Sequence, residues 1–165
     1  MSFIINSITN ALNSNVQSTI NVVIEKTKYI FSLDYKGLLV LIPTYIIQIE
    51  KVFKANSNFD DKIKIAAMTI LGSLVCIPDR FHDYEVSSVG KNPIKMKMKD
   101  IKQKVQDILL AFIEGFKMNM GSKGVVKSSE KIIRKAICYA NIVIYQEAAN
   151  PKRNVENLKV IPLIT

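Results

Sequence analysis

YKGLLVLIPTYIIQIEKVFKANSNFDDKIKIAAMTILGSLVC, residues 35–76, is the stretch on which the fold turns. Leu38, Leu41, Ile42, Tyr45, Ile46, Ile49 and Phe53 recur at three- and four-residue steps, which predicts a helix over residues 35–54 with one broad apolar face. Ile63, Ala66, Ala67, Ile70, Leu71, Leu74 and Val75 repeat that pattern and predict a second helix over residues 60–76, ending before Pro78. Asp34 precedes the first helix and Asn58 or Asp60 the second, where a side-chain oxygen can cap free amides. Pro43 lies inside the first helix; its ring removes a backbone hydrogen bond and crowds the preceding turn, so a kink is expected between Leu39 and Pro43. The polar link Ala55–Asn58 is so short that the two helices must return antiparallel.

Working outward, the same spacing predicts helices over residues 15–31, 97–118 and 128–149. Val16, Ile20, Ile24 and Phe31 mark the first of these, Ile101, Val105, Ile108 and Leu109 the second, and Ile132, Ile133, Ala136 and Ala140 the third. Gly121 and Gly124 mark a turn between the last two. Residues 77–93 (IPDRFHDYEVSSVGKNP) lose helical period and gather Pro, Gly, Ser and charge, the composition of an exposed loop. Lys95 to Lys99 alternates basic and apolar residues, as a short edge strand would, but the longer helical pattern that follows favours helix from residue 97. Residues 151–165 read as an irregular tail whose apolar end, Val160–Ile164, suits coverage by further chain or a neighbouring element.

Residues 1–150 are thus expected to form an all-α domain. Helix pairs with apolar faces this wide usually stack, so a short α-solenoid of HEAT or armadillo type is the expected arrangement, with a closed helical bundle as its alternative.

Composition sets the bounds on function. The chain has 165 residues, 48% of them hydrophobic and 22% charged, which excludes disorder as its general state. The longest apolar stretch, Gly37 to Ile49, is broken by Pro43, Thr44 and Gln48 and is shorter than the ~20 residues that span a bilayer. The first residues, MSFIINSITNALNSN, carry neither a basic leader nor an apolar core of secretory length. Cys76 and Cys138 sit in apolar runs, where a thiol packs like Ala or Val, and with the single His82 they are too few for structural zinc. A reducing, cytoplasmic compartment follows as the expectation. Gly121-Ser122-Lys123-Gly124 lacks the spacing and the preceding strand of a phosphate loop. No catalytic residue, cofactor or metal is expected.

Charge is the remaining signal. The formal net charge is +9, with 20 Lys against 3 Arg beside 25 Ile and 13 Asn. These residues share A/T-rich codons, so base composition accounts for much of the basicity. The excess is nevertheless local: Lys91, Lys95, Lys97, Lys99, Lys102 and Lys104 fall within 14 residues, dense enough to attract an anionic surface. Apart from a merely solvated face, the readings of this run are an acidic protein partner, anionic lipid head groups, and nucleic acid. Nucleic acid ranks last, because the run contains no Arg and no aromatic residue for base stacking. The neighbouring loop adds Arg80, Phe81, His82 and Tyr84, the densest mixture of polar and aromatic side chains in the chain, as further candidate partner contacts.

Leu33-Asp34-Tyr35-Lys36-Gly37-Leu38-Leu39-Val40-Leu41-Ile42-Pro43, followed by Leu71-Gly72-Ser73-Leu74-Val75-Cys76-Ile77-Pro78-Asp79-Arg80-Phe81, resembles the helical-repeat portions of the large Ral GTPase-activating protein subunits and their tuberin-like relatives. The resemblance covers roughly residues 30 to 85. It implies a solenoid that scaffolds a GTPase regulatory complex, in which a separate C-terminal domain promotes hydrolysis through an asparagine. No segment of this chain matches that domain, so the resemblance implies a non-catalytic scaffold and carries over no site residue.

Overall fold

The computed structural model describes residues 2–33, 36–54, 59–77, 81, 83–118 and 127–149. Among them the fold is all-α apart from one small hairpin. The helices are α1 (Ser2–Leu12), α2 (Gln17–Lys26), α3 (Ile42–Val52), α4 (Asp61–Val75), α5 (Met98–Met118) and α6 (Lys127–Ala149). Two 3-10 segments, Ile30–Ser32 and Lys36–Leu41, precede α3, and strands β1 (Glu85–Ser87) and β2 (Lys95–Lys97) lie between α4 and α5. No helix of the described residues is long and apolar enough to cross a membrane. The chain divides into two compact units, Met1–Val105 and Gln106–Thr165.

The first unit begins one helix earlier than the sequence reading placed it. In α1, Thr9 and Leu12 are buried, while Phe3 and Ile4 stay exposed. Buried Thr9 satisfies its hydroxyl by donating to the Ile5 carbonyl at 2.8 Å. The break before α2 centres on Asn15, whose φ of 60° is left-handed, a conformation that Asn tolerates better than most side chains.

The expected helix of residues 35–54 is two pieces. Lys36–Leu41 coils as a 3-10 helix, burying Leu38 and Leu41 three residues apart, and α3 starts afresh at Ile42. Pro43 therefore occupies the first turn, where a missing N–H breaks no helical bond, and the kink expected between Leu39 and Pro43 is replaced by this junction. The expected caps from Asp34 and Asn58, the link Ala55–Asn58, the turn at Gly121 and Gly124 and the tail 151–165 lie outside the described residues. Asp60 does take the N-cap position of α4 with extended backbone, though its side chain makes no capping hydrogen bond.

Helix α4 buries Ile63, Ala66, Ala67, Met68, Ile70, Leu71, Gly72, Leu74 and Val75, positions that go most of the way around its circumference. It packs against α2, α3 and the first 3-10 segment, and α1 packs against α2 and α3. Contacts among the four helices of this unit thus run from α1 to α2, on to α4, on to α3 and back to α1.

The segment read as loop and helix start contains the hairpin. β1 and β2 pair antiparallel, with Glu85 opposite Lys97, Val86 opposite Met96 and Ser87 opposite Lys95. Period two decides it: Val86 is buried and Met96 half-buried, while Glu85, Lys95 and Lys97 are exposed. The strand packs on α3 and the second 3-10 segment. Ser88 closes the inner end of the loop, donating its N–H to the Ile94 carbonyl at 2.9 Å and accepting the Ile94 N–H on Oγ at 2.8 Å. The Met98 N–H donates to the Tyr84 carbonyl at 2.8 Å, so the pairing ends where α5 begins. Helix therefore starts at Met98, and residues 95–97 are strand, the reading set aside on length.

In the second unit, α5 buries Ile108, Leu109 and Ile113, and α6 buries Ile132, Ile133, Ala136, Ala140 and Val143. These fall at the three- and four-residue steps that the sequence displays.

Tyr45 ties α2 to α3 at the centre of the first unit. Its ring is fully buried and stands edge-on to Phe31, with centroids 5.3 Å apart. Thr27 donates its hydroxyl to the Val23 carbonyl, so the hydrogen bond between the Tyr45 hydroxyl and Thr27 Oγ1 must be donated by Tyr45. Burial pushes the phenol pKa from 10.0 up to about 12, against the lowering effect of the Thr27 bond. The fold thus favours the protonated phenol, so this contribution is intact below the unfolded pKa and is lost as pH rises toward about 12. We predict that Tyr45→Phe costs about 1 kcal/mol at neutral pH in urea unfolding. Above pH 10.0 the wild type should lose stability more steeply than the variant, by up to about 1.4 kcal/mol per pH unit. Parallel pH profiles would contradict this placement of Tyr45.

Candidate functional site

The hairpin divides the six clustered lysines into two groups. Lys95 and Lys97 stand on the solvent-facing side of β2, Lys91 lies in the loop before it, and Lys99 is the second residue of α5; all four are exposed. Lys102 is only 6% exposed, and its ammonium donates to the Ile77 carbonyl at 2.8 Å, beyond the C-terminus of α4. A cation there satisfies a carbonyl just past the helix and complements the negative end of the helix dipole. Lys104 is half-buried and sits 3.1 Å from a Glu50 carboxylate oxygen. Lys102 is therefore no surface contact, contrary to the expectation from charge density, and Lys104 already has an anionic partner. Both lie on the α5 turns facing α4 and α3, where a long aliphatic stem packs and its charged end finds an acceptor.

Of the aromatic loop, Arg80 and His82 lie outside the described residues. Phe81 and Tyr84 meet edge to face with centroids 6.1 Å apart. Tyr84 is 40% exposed and carries the Lys36 ammonium 4.7 Å from its ring centroid. The surface around the hairpin thus combines Lys91, Lys95, Lys97, Lys99 and a lysine-capped Tyr84 with the exposed acids Asp83, Glu85 and Asp100. Val86 and Met96 anchor the opposite face, so the lysines are held by elements whose packing does not use them.

Beneath the hairpin loop is a cleft of about 280 Å³, lined by Asn13 after α1, by Thr44, Ile47 and Gln48 of α3, and by the loop from Ser88 to Ile94. Gln48 is 7% exposed. Its Nε2 donates to the Leu12 carbonyl at 3.1 Å, which fixes the amide orientation, and its Oε1 is buried without a hydrogen-bond partner. Gly90, in the loop, has a φ of 134°, a region that side chains with a Cβ rarely enter. The sequence reading did not find this cleft, although the signal was present: Gln48 stands three residues after Tyr45, inside the apolar stripe of α3.

Both cysteines are exposed, not packed in the core as their apolar neighbours suggested. Cys76 is the residue at which α4 ends, so its side chain leaves the stripe that Leu74 and Val75 complete. Cys138 follows buried Ala136 by two residues, about 200° around α6, and so faces away from the buried side. Among the described residues no three His, Cys, Asp or Glu side chains are grouped so that they could hold a metal ion.

Comparison with known protein families, with characterised proteins and with solved structures finds no match.

Two measurements check this surface. Lys102→Ala should destabilise the fold by about 1–3 kcal/mol in urea unfolding, because the Ile77 carbonyl loses its donor, whereas Lys95→Ala and Lys97→Ala should stay within about 0.5 kcal/mol. Equal effects at all three would put Lys102 back on the surface. Separately, a thiol reagent such as dithionitrobenzoate should modify two thiols in the native chain at similar rates, and protection of either until unfolding would contradict its exposed position.

Proposed function

We propose that this chain is a non-catalytic helical scaffold that presents a lysine-bearing hairpin to an acidic protein partner. The observation that carries the reading is the separation within residues 85–99: Val86 and Met96 hold the hairpin down, while Lys91, Lys95, Lys97 and Lys99 are exposed together. A rigid, short strand pair fixes the lysine spacing at low entropy cost, which favours recognition of a matching array of carboxylates and speeds encounter.

Helix contacts bear on the scaffold itself. A HEAT- or armadillo-like stack extends by contacts between successive units. The circuit from α1 through α2, α4 and α3 back to α1 is closed, which supports the helical bundle for Met1–Val105 over the open stack. The resemblance to Ral GTPase-activating protein subunits names a GTPase regulatory complex as an assembly in which such a scaffold would serve, without supplying chemistry. Nucleic acid fits less well, since none of the four exposed cations is an Arg, the residue best suited to phosphate and guanine.

Fluorescence titration tests the partner class. A labelled Glu- and Asp-rich peptide should bind the full chain with an affinity that falls as salt rises. The same affinity should fall at least tenfold in Lys95→Glu/Lys97→Glu. Unchanged affinity in that variant, or tighter binding of phosphatidylserine vesicles or single-stranded DNA at equal salt, would overturn the proposal.

A further inference from the structure

The hairpin has an outer edge as well as a lysine face. Among the described residues β1 packs on α3 and on the 3-10 segment Lys36–Leu41, whereas the partner of β2 is β1. The register says which backbone groups that edge carries. The Ser88 N–H donates to the Ile94 carbonyl and the Met98 N–H to the Tyr84 carbonyl, so Val86 and Met96, two residues from each, form the hydrogen-bonded pair between them. Lys95 and Lys97 then turn their backbone N–H and C=O groups away from β1. The Lys97 carbonyl stands at the start of α5, where the first helical bond uses it, which leaves the Lys95 N–H, the Lys95 carbonyl and the Lys97 N–H on the edge. Both residues are exposed, and among the described residues no hydrogen bond from outside the hairpin reaches these groups. Pro93, the next residue of the same parity, has no N–H, so the row of donors ends there.

Charge decides what can join this edge. Lysines on an edge strand keep unsuited strands away, and here they repel a second copy of β2. The same charges attract a strand whose facing residues are acidic. Lys95 and Lys97 share one face of β2, while half-buried Met96 and Ile94, 39% exposed, share the other. A strand laid along β2 therefore meets positive charge and aliphatic surface at alternate positions. On β1, Ser87 stands opposite Lys95 and Glu85 opposite Lys97, so Lys95 is the one with no carboxylate across from it.

We infer that the acidic partner docks as an extended strand, antiparallel to the outer edge of β2, through a segment that alternates Glu or Asp with aliphatic residues. The inference rests on the acidic-partner reading and adds how the partner is held. The acidic residue opposite Lys95 exchanges both of its backbone bonds with it, and the acidic residue opposite Lys97 accepts that residue's N–H. Their carboxylates pair with the two ammonium groups. The aliphatic residues between them lie over Met96 and Ile94. Main-chain bonds to the edge hold any extended segment, and the alternation of its side chains selects the acidic one.

Fluorescence anisotropy of labelled peptide amides on the full chain provides the test. Glu-Val-Glu-Val-Glu should bind at least fivefold more tightly than Glu-Glu-Val-Val-Glu, which has the same composition and charge but no two acids spaced two residues apart. N-methylation of the Glu nitrogens of the alternating peptide removes the donors aimed at β2 and should weaken binding at least fivefold. N-methylation of its Val nitrogens, which point away, should leave binding within twofold. Lys95→Ala should weaken the alternating peptide more than Lys97→Ala does. In the chain labelled with nitrogen-15, hydrogen exchange at the Lys95 and Lys97 amides should slow when the peptide binds, while the Met96 amide, already bonded to Val86, should change little. Weakening by methylated Val in place of methylated Glu would overturn the inference. Equal, salt-sensitive binding of all four peptides would overturn the docked strand and leave the acidic partner in place, whereas no binding of any of them at low salt would remove both.

Discussion

Helix α4 must be covered over about two-thirds of its circumference, and the rest of the first unit follows from that constraint. A helix with a single apolar stripe is satisfied by one neighbour, whereas α4 buries residues from Ile63 to Val75 at positions too far around its circumference for one neighbour to cover. Each fully buried Leu or Ile contributes about 1.5–3 kcal/mol relative to exposure, so an uncovered side would cost more than one domain's margin of stability. Helices α2 and α3 and the first 3-10 segment supply the cover, and α1 holds α2 and α3 in turn. Tyr45, bonded to Thr27 and edge-on to Phe31, sits where that cover is joined.

The hairpin is a consequence of what the helices leave over. Between the end of α4 and the start of α5 the chain has no helical period to follow, and β1, with Val86 buried, packs on α3 while β2 is held by pairing with β1. Alternation then puts Lys95 and Lys97 outward without further design. Lys102 and Lys104 come from the same run but obey a different geometry: they belong to α5, where a three- to four-residue step turns them toward Ile77 and Glu50. A stretch that is uniform in sequence is split by a change of period from two to 3.6.

This change of period also explains how far the sequence could be read. The helices α2 to α6 announce themselves through long apolar stripes, with boundaries that shift where a special residue intervenes. Pro43 starts a helix in place of bending one, because it stands in the first turn of α3, where no helical bond uses its N–H. Helix α1 was missed because two of its five large apolar residues, Phe3 and Ile4, are exposed and blur the stripe. A three-residue strand carries too little periodicity to outweigh a 21-residue helix beginning at its end. Lys102 and Gln48 show the opposite case. Each is a polar residue inside an apolar stripe, and that position alone marks a side chain that must find a partner indoors. Lys102 finds the Ile77 carbonyl; Gln48 finds Leu12 with one end only. The cleft itself was not legible, since it joins Asn13, α3 and the hairpin loop, segments brought together only by the fold.

The most direct test of the account is a methyl nuclear Overhauser spectrum of the chain with labelled Ile, Leu and Val. The circuit of contacts through α1, α2, α4 and α3 requires cross-peaks between Ile20 or Ile24 of α2 and the α4 methyls, together with cross-peaks linking Leu12 to the methyls of α3. If α4 showed contacts to α3 alone, and none reached α2, α4 would be left bare on one side and the closed arrangement on which the hairpin and the cleft depend would be wrong.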